Sequence, residues 1–331
     1  MDGAGVRVVR WLLGLAVVAT LAWGGLWFVG SRGLSHALDT ALAGPRAALR
    51  AESHAVRGFP NRFDITLTEP RLSEGAVDWT APFVQVFALS YRPHHVIVVF
   101  PNEQRLEVGG LVALITSGDA RASVVMRPTS NLVLDRAVLV AQMPVVTLPG
   151  ERLSADALRV ALRPMADAAG SYEAVVEIDS AFPDPAVLDL IDPDGHLPRR
   201  YDLLRLDGRL RFDRPVDLDA FRGAPPRITE TVLTGARAAF DGIDLKAEGE
   251  VVVNAQGRPE GTFTLSVTGW EALLPRMSAA GILTPEVRAW IAAAAPGLAR
   301  DGQNGAIDIP LRLEAGQLRL GPLVLAELPA F

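Results

Sequence analysis

A chain of 331 residues that is 49% hydrophobic carries enough apolar material for one large domain or two ordinary ones, and a disordered polymer is excluded. Its formal charge of −6, with no run of basic residues interleaved with aromatics, argues against a surface that tracks a nucleic-acid backbone. The absence of cysteine excludes disulfides, thiolate nucleophiles, iron–sulfur clusters and cysteine zinc sites, and five histidines leave few ligands for a transition metal.

Between Arg10 and Arg32 the chain runs WLLGLAVVATLAWGGLWFVGS without a charge. At a rise of about 1.5 Å per residue this stretch matches the roughly 30 Å hydrocarbon core of a bilayer. Trp11 at one end, and Trp23 and Trp27 toward the other, are placed for the headgroup regions. Residues 11–31 are therefore predicted to be a transmembrane helix behind a cytoplasmic segment, 1–10, that carries Arg7 and Arg10. A cleaved signal peptide is the rival, but the exit WFVGSRGLSHA puts bulky residues where a small-x-small cleavage site belongs. Arginines flank both ends of the span. The long domain behind a short basic leader is what places residues after it on the periplasmic side of a bacterial inner membrane.

Leu34, Leu38, Leu42 and Leu49 predict a juxtamembrane helix over 32–57, interrupted near Gly44-Pro45 and lying on the domain or in the membrane interface. From there the apolar period becomes two, which predicts a β-rich extracytoplasmic domain over 58–331. Phe63, Ile65 and Leu67 alternate with Asp64, Thr66 and Thr68, and the pattern recurs at Leu158, Val160 and Leu162 and from Leu204 to Phe212. His95 to Phe100 is almost uniformly apolar and predicts a central strand buried on both faces.

Ile243, Leu245, Val251 and Val253 lead through Gly257-Arg258-Pro259 into Phe263, Leu265 and Val267, a long hairpin. Ile307, Ile309, Leu311 and Leu313 lead through Ala315-Gly316 into Leu318 and Leu320, a second hairpin. Helices are predicted over Pro185 to Ile191, Glu271 to Ala280 and Pro285 to Arg300, the last with Thr284 as N-cap and Pro285 in the first turn. Asp192-Pro193-Asp194-Gly195 marks a candidate sub-boundary near 185–198. Strict alternation gives each strand one apolar and one wet face. The predicted class is thus mainly β (α+β), a large antiparallel sheet with a few helices that can curl into a groove.

No residue is assigned a catalytic, cofactor-binding or metal-binding role. His94 and His95 are adjacent, but neighbours on a strand point to opposite faces and do not share a metal. Asp192, Asp194 and Gly195 resemble the start of a calcium loop, yet His196 stands at the next acidic position and the closing glutamate is absent, so a turn is expected. Asp179 with Asp184, and Asp241 with Asp244, are carboxylate pairs of a kind that 38 acidic residues produce by chance. No metalloprotease, nucleophile-elbow, P-loop or dinucleotide motif is present.

The run Gly58-Phe59-Pro60, Phe63 to Leu67, Pro70, Trp79, Ala81-Pro82, Tyr91, Pro93, His95-Val96 and Phe100-Pro101 resembles the opening of an uncharacterised bacterial family, domain of unknown function 2125. The resemblance extends through most of the chain after the anchor and implies a membrane-anchored protein without an established activity. Ile309-Pro310-Leu311 with Gly316, Leu320, Gly321 and Pro322 is also similar to the ends of AsmA-like envelope proteins. That likeness implies a sheet groove and a part in lipid handling. The expectation is an anchored, non-catalytic envelope protein, without a cofactor and with membrane lipid as its partner on an apolar sheet face. A structural adaptor docking another envelope complex by a sheet edge, and a membrane-tethered hydrolase, are the alternatives.

Overall fold

In the computed structural model the described residues are 3–44, 47–166, 168–192, 194–221, 226–253, 258–281, 283–298, 305–321 and 323–327. The side chains of 3–14 and the 254–257 turn lie outside them. Helix α1 spans Gly3–Ala43. The predicted helix over 32–57 is corrected: α1 stops before Gly44-Pro45, and Leu49–Arg50 (β1) and Ser53–Arg57 (β2) are strands. The leucine stripe ran across a helix stop, and behind it Ser53, Ala55 and Arg57 are exposed while His54 and Val56 are half-buried, a period of two.

Eleven further half-strands and strands follow in chain order: Arg62–Thr68 (β3), Arg71–Glu74 (β4), Val77–Thr80 (β5), Phe83–Leu89 (β6), Arg92–Phe100 (β7), Glu103–Val108 (β8), Leu111–Thr116 (β9), Asp119–Met126 (β10), Leu134–Gln142 (β11), Val145–Leu148 (β12) and Glu151–Pro164 (β13). Then come Ser171–Phe182 (β14), helix Pro185–Ile191 (α2), Tyr201–Phe212 (β15), Ile228–Phe240 (β16), Ile243–Val253 (β17) and Pro259–Thr268 (β18). Helices Trp270–Ala279 (α3) and Pro285–Leu298 (α4) precede Ile307–Glu314 (β19), Gln317–Leu320 (β20) and Leu323–Glu327 (β21). Thr284 caps α4, its Oγ1 accepting from the Val287 N–H at 3.4 Å.

The 21 strands of the described residues belong to one antiparallel sheet. Its pairing follows the chain. β2 pairs with β3, β3 with β6, β6 with β7, β7 with β10, β10 with β11 and β11 with β13. In parallel with this series, β1 pairs with β4, β4 with β5, β5 with β8, β8 with β9, β9 with β12 and β12 with the start of β13. The two series are therefore halves of six long strands, each broken once, and β13 is the first to run through unbroken. From β13 each strand pairs with the next as far as β21.

The breaks line up as a crease. It is bridged by backbone bonds such as Ala81 N–H to Pro70 O (3.2 Å), Ser117 N–H to Asn102 O (2.9 Å) and Met143 N–H to Asp156 O (2.8 Å). Proline supplies much of it, at Pro70, Pro82, Pro101 and Pro144, because a residue without an N–H interrupts a ladder. Glu69 and Met143, at two of the breaks, and Ser180, within β14, take positive φ of 48°, 47° and 51°.

The His95 to Phe100 strand is central, between β6 and β10, but its expected burial on both faces is corrected. Ile97 is 41% exposed, because among the described residues no layer covers its side of the sheet. The stretch singled out as a sub-boundary, 185–198, joins β14 and β15, which pair along nearly their whole length, so the sheet crosses it without interruption.

Candidate functional site: an uncovered apolar sheet face

Cross-strand neighbours fall into rows, and one row crosses the sheet from edge to edge. It starts at Val56 and passes through Ile65, Val86, Val98, Ala122 and Leu139. It continues through Val160, Val176, Leu206, Ala236, Ala247 and Leu265 to Ile309. Every member is apolar. The adjacent row on the same face, Phe100 through Ala141, Ile178 and Leu245 to Ile307, is apolar too. The period-two pattern seen strand by strand is thus held in register over the whole sheet.

Among the described residues helices cover this face at its two ends. At the first edge α1 lies on it: Trp27 stacks on Phe63 at 6.0 Å and meets Phe59 edge-on at 5.3 Å. The Trp27 Nε1–H donates to Arg62 O at 2.7 Å, and that of Trp23 to Pro60 O at 3.1 Å. At the far edge α3 and α4 close over Val267, Ile307, Ile309 and Leu311 with Leu274, Ile291 and Ala295, forming the main buried core. A smaller core closes the lower end, where Tyr172, Met126 and Leu134 pack together and the Tyr172 hydroxyl accepts from the Val216 N–H at 2.9 Å.

Between these covers the face is open. Leu206 is 41% exposed in the row in which Ile309 is 7% exposed. A trough of about 440 Å³ runs over β14 to β18, lined by Val176, Ile178, Leu204, Ala238 and Leu265 among others. A second hollow of about 240 Å³, reaching Phe263 and Leu313, shares Leu206, Ala236 and Ala247 with it. The molecule exposes 20207 Å² in all, against about 13,000 Å² expected for a compact monomer of 35.3 kDa.

The opposite face carries the charges: beside the mostly apolar row Phe87, Ile97, Ser123, Val138, Ala161 and Val175 runs a charged one. There the row Arg159, Glu177, Arg205, Arg237, Lys246 crosses β13 to β17, and ion pairs lace it. Arg205 holds Asp207 at 2.8 Å and Glu177 at 2.9 Å, and these carboxylates push the guanidinium's pKa up. Arg237 holds Asp244 at 2.9 Å. Burial pushes the Asp244 carboxyl up, but Arg237 and Lys246 together more than offset it, leaving it below its ordinary value.

The carboxylates noted in the sequence do not converge. Asp184 caps α2, accepting from the Ala186 N–H at 2.7 Å, and also accepts from the Arg152 N–H at 2.5 Å. Asp241 pairs with Arg276 at 2.6 Å, and Asp244 with Arg237. Asp192 is buried and accepts from the Leu197 N–H at 2.5 Å, which holds its carboxyl below the usual range and closes a turn. Among the described residues no three His, Asp or Glu side chains group as a metal site. His95 Nε2 lies 3.0 Å from Ser123 Oγ on the charged face, a contact between residues 28 apart that no local pattern announces, and among the described residues no carboxylate is bonded to the imidazole to orient it as a base.

Comparison with known families fits this continuous sheet. A single family model covers residues 27–329. The chain belongs to that family, described as uncharacterized protein conserved in bacteria (DUF2125). The DUF2125 match takes in the α1 segment from Trp27 onward and the strands through β21. No curated protein and no solved structure matches the chain. The similarity to AsmA-like proteins has no counterpart in these comparisons. Among the described residues no helix is long and apolar enough to cross a membrane.

Proposed function

We propose that this DUF2125 member is a membrane-anchored, non-catalytic envelope protein that holds lipid acyl chains against the apolar face of its sheet. The observation that carries this reading is the uncovered apolar row between α1 and the α3–α4 pair. Exposed apolar surface costs about 25 cal/mol per Å², and patches beyond a few hundred Å² mark binding surfaces. An acyl chain is the matching occupant, because the trough is lined almost wholly by hydrocarbon and has nothing to offer a polar ligand.

The anchor supports the same choice of occupant. Residues 11–31 are uncharged, and on α1 Leu15, Val17, Leu21 and Leu26 stand 57–70% exposed. That apolar surface leads to Trp27 and Phe28, then to Phe59 and Phe63 at the β2–β3 edge of the apolar row that crosses the sheet to the trough. With α1 in the inner membrane and the sheet on its periplasmic side, lipid meets the first edge of the apolar face, and the apolar row leads from there to the trough. The test is native mass spectrometry of the full chain extracted in mild detergent, after exchange of loosely held lipid. Stoichiometric phospholipid or fatty acid is expected on the wild type and absent from a folded Ala236→Glu/Ala247→Glu variant. A wild type that emerges empty refutes the reading and leaves the adaptor ahead.

A further inference from the structure

On the charged face the arginines of β15 and β16 are paired, and those beside them are paired only in part. Arg205, Arg209, Arg211 and Arg237 each hold a carboxylate. Among the described residues Arg136 on β11 and Arg159 on β13 hold none. Both line one open depression of about 790 Å³, together with Arg163, Arg205 and Arg209. The acids that line it, Glu173, Asp207 and Glu250, are already paired, with Arg163, Arg205 and Arg209 respectively. The depression therefore carries two guanidinium groups that make no ion-pair contact, Arg159 having Glu177 as its cross-strand neighbour, in a concave site where field lines are focused.

We propose that this depression binds a phosphate-bearing anion, with Arg136 and Arg159 supplying the charge. A guanidinium fork matches phosphate oxygens two at a time, and a free one loses no existing partner on binding. The register sets the spacing. Ala137 lies opposite Leu162, which puts Arg136 beside Arg163, and Arg163 is four residues along β13 from Arg159, about 13 Å at strand rise. A ligand that engages both arginines thus carries more than one anionic oxygen cluster, or brings the two long side chains together. The site is on the other side of the sheet from the apolar trough and stands or falls apart from it.

Such phosphate can be soluble or a lipid headgroup, and two titrations separate them. Full-length protein in neutral detergent is titrated calorimetrically with inorganic tripolyphosphate and with dihexanoyl phosphatidic acid, dihexanoyl phosphatidylcholine serving as control. The wild type is compared with Arg136→Gln/Arg159→Gln, whose thermal midpoint is expected to be unchanged because neither side chain is paired. Saturable tripolyphosphate binding that weakens about tenfold or more in the variant supports the site with a soluble ligand. Weakening confined to phosphatidic acid supports it with a headgroup. No binding of either probe, or equal binding in the folded variant, overturns it.

Discussion

Ile309 and Leu206 stand in the same cross-strand row, one beneath α4 and the other in the open trough, and truncating each to alanine measures what covers the sheet. Ile309 is 7% exposed and packed against Ile291 and Ala295, so Ile309→Ala leaves a closed cavity and is expected to cost about 2–5 kcal/mol. Leu206 keeps somewhat more than half of its surface covered, all of it by neighbours within the sheet, and its 41% exposure means that truncation opens no enclosed void. Only the transfer contribution remains, about 1 kcal/mol and not above 2. Urea unfolding of lipid-stripped protein, read as midpoint shifts at constant slope, gives both numbers. If Leu206→Ala costs as much as Ile309→Ala in stripped protein, something covers the trough and the lipid proposal loses its basis.

Trp27→Ala removes the 2.7 Å bond to Arg62 O and the stack on Phe63, and is expected to release α1 from the β2–β3 hairpin, read as faster limited proteolysis around residues 58–61. Tyr172→Phe leaves the Val216 N–H without its acceptor; a loss of about 1–2 kcal/mol and faster amide exchange at Val216 are expected. Asp244 and Asp192 have carboxyls lowered in the folded state, so their stabilisation is present above the unfolded carboxylate range, near pH 4, and is lost as pH falls through the folded values. The thermal midpoint is therefore expected to be flat from about pH 7 to 5 and to fall below about 4, with Asp244→Asn removing part of that fall. A decline that starts near neutral pH would contradict this assignment.

Much of the sheet was legible because alternation is a local signal. Phe63 to Leu67, the β17–β18 hairpin and the Ile307 to Leu320 hairpin each carry their face in their own residues, and Thr284-Pro285 announces α4. The crease was not legible: Pro70, Pro82, Pro101 and Pro144 are far apart in sequence and line up only once six strands are paired. Gly44-Pro45 reads as an interruption of the helix, but Leu49 in the leucine stripe suggested that the helix resumes, whereas the chain beyond is strand. His95 to Phe100 suggested cover on both sides because its apolar residues do not reveal that a layer is missing over Ile97. The arginine depression was hidden for a related reason. A search for basic runs reads along the chain, whereas Arg136, Arg159 and Arg205 come together across strands.

The chain-following pairing of this sheet has a kinetic consequence. Each strand docks on the one made just before it, so ordering the next element closes only a short loop, a small entropic step compared with a Greek key of the same size. A chain delivered N-terminus first always finds its template already standing, and growth has one live edge at a time. The edge left by β18 waits longest, because α3 and α4 intervene before β19 arrives. That interval is where an incomplete molecule presents an unpaired hydrophobic strand to its neighbours, and where misassembly during synthesis is concentrated.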